Sequence, residues 1–332
     1  MQRIVLGNSG ITSSVLGFGC SALLGRCGRS ESLRALHAAW NAGITLYDTA
    51  RSYGYGESEA LLGEFLHGRR DQAVITTKFG IVPSRQQLWK RAAKPVARAL
   101  LKVAPRARSA VRRGAAAQMT ANQFSIAVLH QSVEQSLRKL RTDYVDFLFM
   151  HAAPLDALHN DELLAAMQKL VLDGKVRVAG ISADPPVIQA SLAAQRQPLR
   201  AMQFPCNLFD FSALSHLARH PQQGYAFMAN HPFGGVQRAR ITQATIAHLA
   251  GAESTPASLR EKLQAPGALA DTVLNAILRG TGVHVVLPAM MKPHHLQQNV
   301  QAVNQSRFTR EDLEWLRDTL PREARHEINQ SA

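Results

Sequence analysis

Ile44-Thr45-Leu46-Tyr47-Asp48-Thr49-Ala50-Arg51-Ser52-Tyr53-Gly54-Tyr55-Gly56-Glu57-Ser58-Glu59-Ala60-Leu61-Leu62-Gly63 sets the reading of the whole chain. Its first four residues form a short β-prone run directly after Asn41-Ala42-Gly43, a helix stop. A polar turn with two glycines follows. Residues from Glu59 to His67 then place Leu61, Leu62, Phe65 and Leu66 at helical spacing. Strand, loop and helix in that order make one βα unit, with a carboxylate at the end of its strand.

The same unit recurs outward in both directions. Residues 2–6 and 12–16 flank the turn Gly7-Asn8-Ser9-Gly10 and predict an opening hairpin, followed by a strand through Gly17-Phe18-Gly19. A helix follows with Ser30 as its expected N-cap and Leu33, Leu36 and Trp40 on one face. Strands are expected at 73–77, 145–150, 176–181, 200–204, 225–229 and 283–287. Helices stand between them, the clearest near 123–141 with Ile126, Leu129, Val133, Leu137 and Leu140 as its apolar stripe. Eight such units predict a closed (β/α)8 TIM barrel, an α/β fold, with long loops after strands 3 and 7. A doubly wound sheet is the alternative, but no GxGxxG follows any expected strand. The chain reads as a single barrel domain over residues 1–332. Its extra segments are a 79–119 insertion, a Gly/Pro-punctuated 230–267 loop, and a 308–332 tail with one short helix, Glu311 to Leu320.

Composition narrows the class. Of 332 residues, 46% are hydrophobic, enough for a sizeable core and against disorder. Lys plus Arg is 38 and Asp plus Glu is 24, a formal charge of +14. The surplus is local. Ile81 to Val133 holds no acidic residue and ten basic ones, all within residues 85–113. The rest of the chain carries +4, from 28 basic and 24 acidic residues. This stretch reads as a solvated amphipathic lid helix broken at Pro95, as an arm for an anionic membrane surface or acidic protein, or as an attractor of anionic ligands. Nucleic acid is not expected, because no nucleic-acid-binding module accompanies the charge. Three scattered cysteines exclude a disulfide framework, and the thirteen histidines form no HExxH or Cys/His metal motif. No signal-peptide pattern and no apolar run near the ~18 residues of a transmembrane segment is present, so a cytoplasmic protein is expected.

Barrel chemistry gathers at strand C-termini. Asp48 ends the second strand, Tyr53 follows five residues later, Lys78 ends the third, and His151 ends the fourth. Taken singly, each has a plain structural role open to it: a loop hydrogen bond, a solvated charge, a packed imidazole. Together they place a carboxylate, a phenol, an ammonium and an imidazole at one mouth. A buried ammonium is expected to lower the phenol's pKa from its ordinary ~10, while the carboxylate holds the ammonium in place. The imidazole donates to a substrate oxygen, and the set protonates a developing alkoxide.

At these residues the chain resembles the aldo-keto reductases. Asp48-Thr49-Ala50-Arg51-Ser52-Tyr53-Gly54-Tyr55-Gly56, with Ser58-Glu59 and Leu62-Gly63, is similar to that family's D-T-A-x-x-Y-G-x-G-x-S-E-x-x-L-G signature. Thr76-Thr77-Lys78, Phe149-Met150-His151 and Gly174-Lys175-Val176-Arg177-Val178-Ala179-Gly180-Ile181-Ser182 resemble its lysine strand, histidine strand and G-K-[IV]-R-x-x-G-[IV]-S run. The resemblance implies hydride transfer between a nicotinamide cofactor, NADP(H) or alternatively NAD(H), and an aldehyde, ketone or sugar-type alcohol. It implies Tyr53 as general acid/base, Lys78 and Asp48 as its tuning pair, and His151 as the group that orients the carbonyl.

The resemblance also implies a cofactor wall. Gly19 and Cys20 end the first strand, with Cys20 where Thr is frequent; a small packing residue is its simplest reading, redox sensing the other. Ser182 and Gln203 match the carboxamide holders, and Ala183 replaces the usual Asn. Ala229-Asn230-His231-Pro232-Phe233-Gly234 stands where A-Y-S-P-L-G is usual, with Asn230 in place of the aromatic ring that lies under the nicotinamide and His231 or Phe233 as candidates to compensate. Ala289, Met291 and Lys292 stand in the phosphate loop, with Met291 at the usual basic position; His295, Gln298 and Asn299 fall at the adenosine contacts. These departures keep a second reading open, a weakly catalytic or non-catalytic nucleotide-sensing regulatory protein on the same barrel.

Overall fold

The computed structural model describes residues 1–25, 27–83, 119–120, 123–208 and 224–330. The hairpin forms as expected, β1 (Arg3–Val5) antiparallel to β2 (Thr12–Ser14). Then come β3 (Phe18–Gly19), β4 (Leu46–Asp48) and β5 (Val74–Phe79). A small antiparallel ladder follows, β6 (Val82–Pro83) with β7 (Met119–Thr120). After it run β8 (Val145–His151), β9 (Val176–Ser182), β10 (Leu199–Pro205), β11 (Ala226–Asn230) and β12 (Val285–Leu287). Apart from the hairpin and the ladder, these are eight strands that pair in parallel and in chain order. A parallel bridge from Leu16 to Val286 joins the two edges, with hydrogen bonds from Gly17 N to Val286 O (2.9 Å) and from Val286 N to Val15 O (3.0 Å). The barrel is closed as the count of units predicted.

Strand alternation sorts side chains between the barrel lumen and the helical layer. Leu46, Val74, Phe147, Phe149, Val178, Ala201, Ala226, Met228, Val285 and Leu287 form one buried cluster, and Leu6 and Ile11 of the hairpin join it. The hairpin therefore plugs the N-terminal end of the barrel. The alternate residues, among them Tyr47, Ile75, Leu148, Ile181, Met202 and Phe227, face the helices in a second, larger cluster.

Most helix ends follow local chemistry. Ser125 and Asn160 cap their helices by accepting from Val128 N (3.3 Å) and Leu163 N (3.0 Å). Thr309 and Asp312 bond each other's backbone N–H reciprocally, a capping box. Ser30 does not cap: the helix Arg29–Asn41 begins one residue before it, behind Gly28, and no side chain closes its start. Ile126 is not in the buried stripe; it is the first residue of its helix and is exposed, the stripe beginning at Leu129.

The long connection after β11 is present but largely helical, Gly235–Gly251 and Ala257–Gln264. Helix breakers mark the helix starts: Gly234 at φ 64° precedes one helix and Pro256 the other. The tail helix runs Arg310–Gln330, through Pro321 and ten residues beyond the expected end at Leu320. The basic residues 85–113 lie outside the described residues; β6 and β7 are the feet of that insertion, one step beyond Lys78. No helix among the described residues is long and apolar enough to cross a membrane.

Candidate active site

The lumen side of the strands changes character toward the C-terminal mouth. Asp48 on β4, Thr76 and Lys78 on β5, His151 on β8, Ser182 on β9, Gln203 on β10 and Asn230 on β11 lie in step with the apolar lumen residues below them, two or four positions along each strand. Strand period therefore assembles a polar ring on an apolar barrel core.

Asp48 is the hub of that ring. Its Oδ1 accepts from Lys78 Nζ at 2.6 Å, from Gln203 Nε2 at 2.8 Å, and from Thr76 Oγ1. Lys78 Nζ also donates to Thr49 O at 3.0 Å. Both charged side chains are buried. Lys78 Nζ lies 5.0 Å from the Tyr53 ring centroid, and the His151 ring stands edge-on to Tyr53, centroids 5.9 Å apart. Tyr53 is carried by a tight turn in which Gly54 and Tyr55 both have φ near 59°. A Cβ at Gly54 would sit 2.6 Å from Leu23 O, so the turn needs glycine there. The four candidates converge as expected.

Their electrostatics differ from expectation at one point. Burial raises the Tyr53 phenol above its ordinary value, and the Lys78 charge only partly offsets it. Tyr53 is thus a protonated donor at neutral pH. Burial opposes charge on Lys78, but Asp48, then Tyr53, outweigh it and raise its pKa, so it stays an ammonium. His151 is pushed down to about 3, first by burial and then by Lys78, with Asp48 opposing. It is therefore a neutral imidazole, and its buried Nδ1 has no hydrogen-bond partner among the described residues.

Several supporting residues escaped sequence reasoning. Thr76 and Lys78 are two apart on one strand and so face the lumen together, a signal that strand period carries. Thr77, between them, faces outward, where its hydroxyl donates to Glu59 Oε1 at 2.7 Å; Ser136 donates to the same oxygen at 2.6 Å. Arg51 is buried and donates to Ser132 (3.1 Å) and Gln135 (2.6 Å). Glu59 and Arg51 thereby fasten the segments that carry Tyr53 and Lys78 to the helix Ile126–Leu140. No sequence spacing announces those contacts, which span 77 to 84 residues.

The expected cofactor wall divides in two. Ser182 and Gln203 are buried together, Ser182 Oγ donating to Gln203 Oε1 at 2.8 Å, and Asn230 Nδ2 reaches the same oxygen at 3.4 Å. His231 is exposed, with Phe233 and Gly234 half-buried beside it. Gly19 comes close to the end of β12, where a Cβ would meet Pro288 O at 3.2 Å, and Cys20 is fully buried. On the far side Met291 packs half-buried against the core, Asn299 is buried, and Ala289, Lys292, His295 and Gln298 are exposed. The buried amide and hydroxyl groups suit a carboxamide. Among the far-side residues, the exposed cation Lys292 suits a phosphate and Met291 does not. A cavity of about 620 Å³ lies at the opposite, N-terminal end, between Arg3, Trp40, Tyr144 and Arg177, and none of the four candidates lines it.

A closed parallel barrel with a buried carboxylate–ammonium pair, a protonated phenol and a neutral imidazole at its C-terminal mouth defines the class of site. A sequence model of the aldo/keto reductase family matches residues 15–320, and the chain belongs to that family. It is 30% identical over 216 residues to Aldo-keto reductase YhdN of Bacillus subtilis (strain 168), a match over 63% of this chain and 55% of that one. It is 32% identical over 164 residues to Aryl-alcohol dehydrogenase [NADP(+)] of Phanerodontia chrysosporium, 49% of this chain and 36% of that one. The chain thus spans about half the length of the first of these relatives and about a third of the second. Among solved structures, an aldo-keto reductase of Bacillus halodurans (holo form) superposes with a TM-score of 0.70 at 24% identity, covering 96% of both chains, which shows the shared fold.

Proposed function

We propose that this protein is a nicotinamide-dependent oxidoreductase that interconverts a small aldehyde or ketone, or a sugar-type carbonyl, with its alcohol. The observation that carries the reading is the ring at Asp48: a buried ammonium held by a carboxylate, beside a phenol that keeps its proton. The cofactor supplies the hydride when bound. Tyr53 gives its proton to the carbonyl oxygen as charge develops there. Lys78, fixed by Asp48 and Thr49 O, stabilises the phenolate left behind. Neutral His151 offers one N–H to the same oxygen and fixes which face of the carbonyl is presented. Ser182 and Gln203 hold the carboxamide. Lys292 is an exposed cation in the phosphate loop, and it supports NADP(H) over NAD(H), as does the likeness to Aryl-alcohol dehydrogenase [NADP(+)]. Met291 in the usual basic position supports NAD(H).

The test is direct. Purified protein with NADPH or NADH and a panel of carbonyl compounds should show nucleotide oxidation. Tyr53→Phe should lower kcat by about 10²- to 10⁴-fold while fluorescence titration shows nucleotide binding unchanged. Wild-type turnover in that variant would remove Tyr53 from the mechanism.

A further inference from the structure

The ring at Asp48 continues outward as a single hydrogen-bonded chain. Gln203 Nε2 donates to Asp48 Oδ1 (2.8 Å), Asn230 Nδ2 donates to Gln203 Oε1 (3.4 Å), and Asn230 Oδ1 lies 2.9 Å from His231 Nδ1. Ser182 Oγ–H also points at Gln203 Oε1 (2.8 Å). A primary amide donates only from nitrogen and accepts only at oxygen, and a carboxylate only accepts. Asp48 therefore requires the nitrogen of Gln203 to face inward, which turns Gln203 Oε1 outward. Asn230 must then answer with its nitrogen and present its oxygen to His231. The last link needs a donor, so His231 Nδ1 carries a proton. Its other nitrogen, Nε2, is left as the acceptor, and it bonds none of the described residues. His231 itself stands at φ 50°, a left-handed backbone conformation uncommon outside glycine.

We propose that His231 is a ligand-binding residue at the rim of the mouth. Asp48, acting through Gln203 and Asn230, locks it in the Nδ1–H tautomer, and Nε2 accepts a hydrogen bond from a hydroxyl of the bound ligand. Asn230 is the positioning residue. The proposal rests on the reading that a nucleotide and a carbonyl or alcohol substrate enter this mouth. Two hydroxyl sources share the required chemistry, a ribose of the nucleotide and the substrate itself.

The first measurement needs neither turnover nor ligand. In full-length protein labelled with ¹⁵N at the imidazole rings, two-bond ¹H–¹⁵N correlation at pH 8 distinguishes the tautomers, with His231 assigned by its loss in His231→Leu. The wild-type ring should show a protonated Nδ1 and a bare Nε2. Asn230→Ala, which leaves Asp48 and Gln203 in place, should return it to the Nε2–H form ordinary for exposed histidines. A wild-type Nε2–H ring, or a ring unchanged by Asn230→Ala, would overturn the lock. The second measurement compares His231→Leu with wild type for the Kd of NADPH and NADH and for the KM of the best carbonyl found on the panel. A weakening of about three- to tenfold in Kd assigns the hydroxyl to the nucleotide, and the same change confined to KM assigns it to the substrate. No change in either would overturn the ligand role of Nε2. Wild-type protein that binds neither nucleotide would instead strike the oxidoreductase reading, and the tautomer result would still stand or fall on its own.

Discussion

Lys78 shows most plainly how a single side chain depends on its neighbours. Its ammonium is buried and lives on Asp48 and Thr49 O. Lys78→Met should leave the Asp48 carboxylate buried without its cation, at a cost of about 3–5 kcal/mol in a denaturant titration. Asp48→Asn combined with Lys78→Met should recover part of that loss, since no uncompensated charge then remains; a double mutant as unstable as the single would refute the pairing. The residues of this site were legible in the sequence because strand ends are where barrels keep their chemistry. Asp48, Lys78 and His151 each close an apolar run, and Tyr53 sits in a glycine-bracketed turn. The protonation state of Tyr53 was not legible. Proximity to Lys78 predicts a lowered phenol pKa, whereas burial, which no local pattern reports, raises it. Glu59 and Arg51 were hidden for a related reason: their partners lie on a helix beyond the basic insertion.

At the scale of elements, the sequence marks boundaries better than it marks content. Gly234, Gly251 and Pro256 read as a loop because helix breakers were counted without regard to where they fall. In the structure they bracket two helices; the first buries Thr242, Thr245, Ile246 and Leu249, and the second is short, with Leu259 and Leu263 as its buried residues. The tail helix likewise runs on through Pro321, past its expected end at Leu320. Helix-to-helix approach is equally silent in sequence: at Gly63 a Cβ would lie 2.4 Å from Lys139 O, backbone that has no room to yield. Gly63→Ala should therefore push the helix Ser58–Phe65 off the helix Ile126–Leu140 and cost about 1–3 kcal/mol by chemical denaturation. Because Glu59 and Ser136 bridge the same two helices, kcat should fall as well. The basic insertion leaves and returns through the β6–β7 ladder, so excision of residues 85–113 with a short turn should leave thermal stability within a few degrees of wild type. Acting as a lid, the segment should on removal change both KM and kcat; unaltered values of both would make it a remote docking arm.

The whole molecule is tuned against acid. His151 and His284 both have pKa values lowered by burial in the folded state. At His284 both ring nitrogens face backbone N–H groups, of Gly7 in the hairpin plug (3.3 Å) and of Phe227 on β11 (3.1 Å). Unfolding lets these rings take up protons near pH 6.5. Stability is therefore complete above that value and falls as pH drops, by about 1.4 kcal/mol per pH unit for each such ring, down to about pH 3 for His151. Urea midpoints should decline steadily from pH 6.5 to 4, and His151→Gln should flatten part of that decline; a level profile would contradict the assignment.

The seam of the barrel has a consequence for biosynthesis. The backbone of residues 15–17 is completed only by Val286, nearly the full chain later. At ~5–20 residues per second, a ribosome takes on the order of tens of seconds to deliver that partner. During translation the first strand stands as an open edge, and the segment from Asp48 to His151 exists before the strands that close the circle. This barrel thus assembles by waiting, with the backbone groups of residues 15 and 17 unpaired on that side until Val286 arrives.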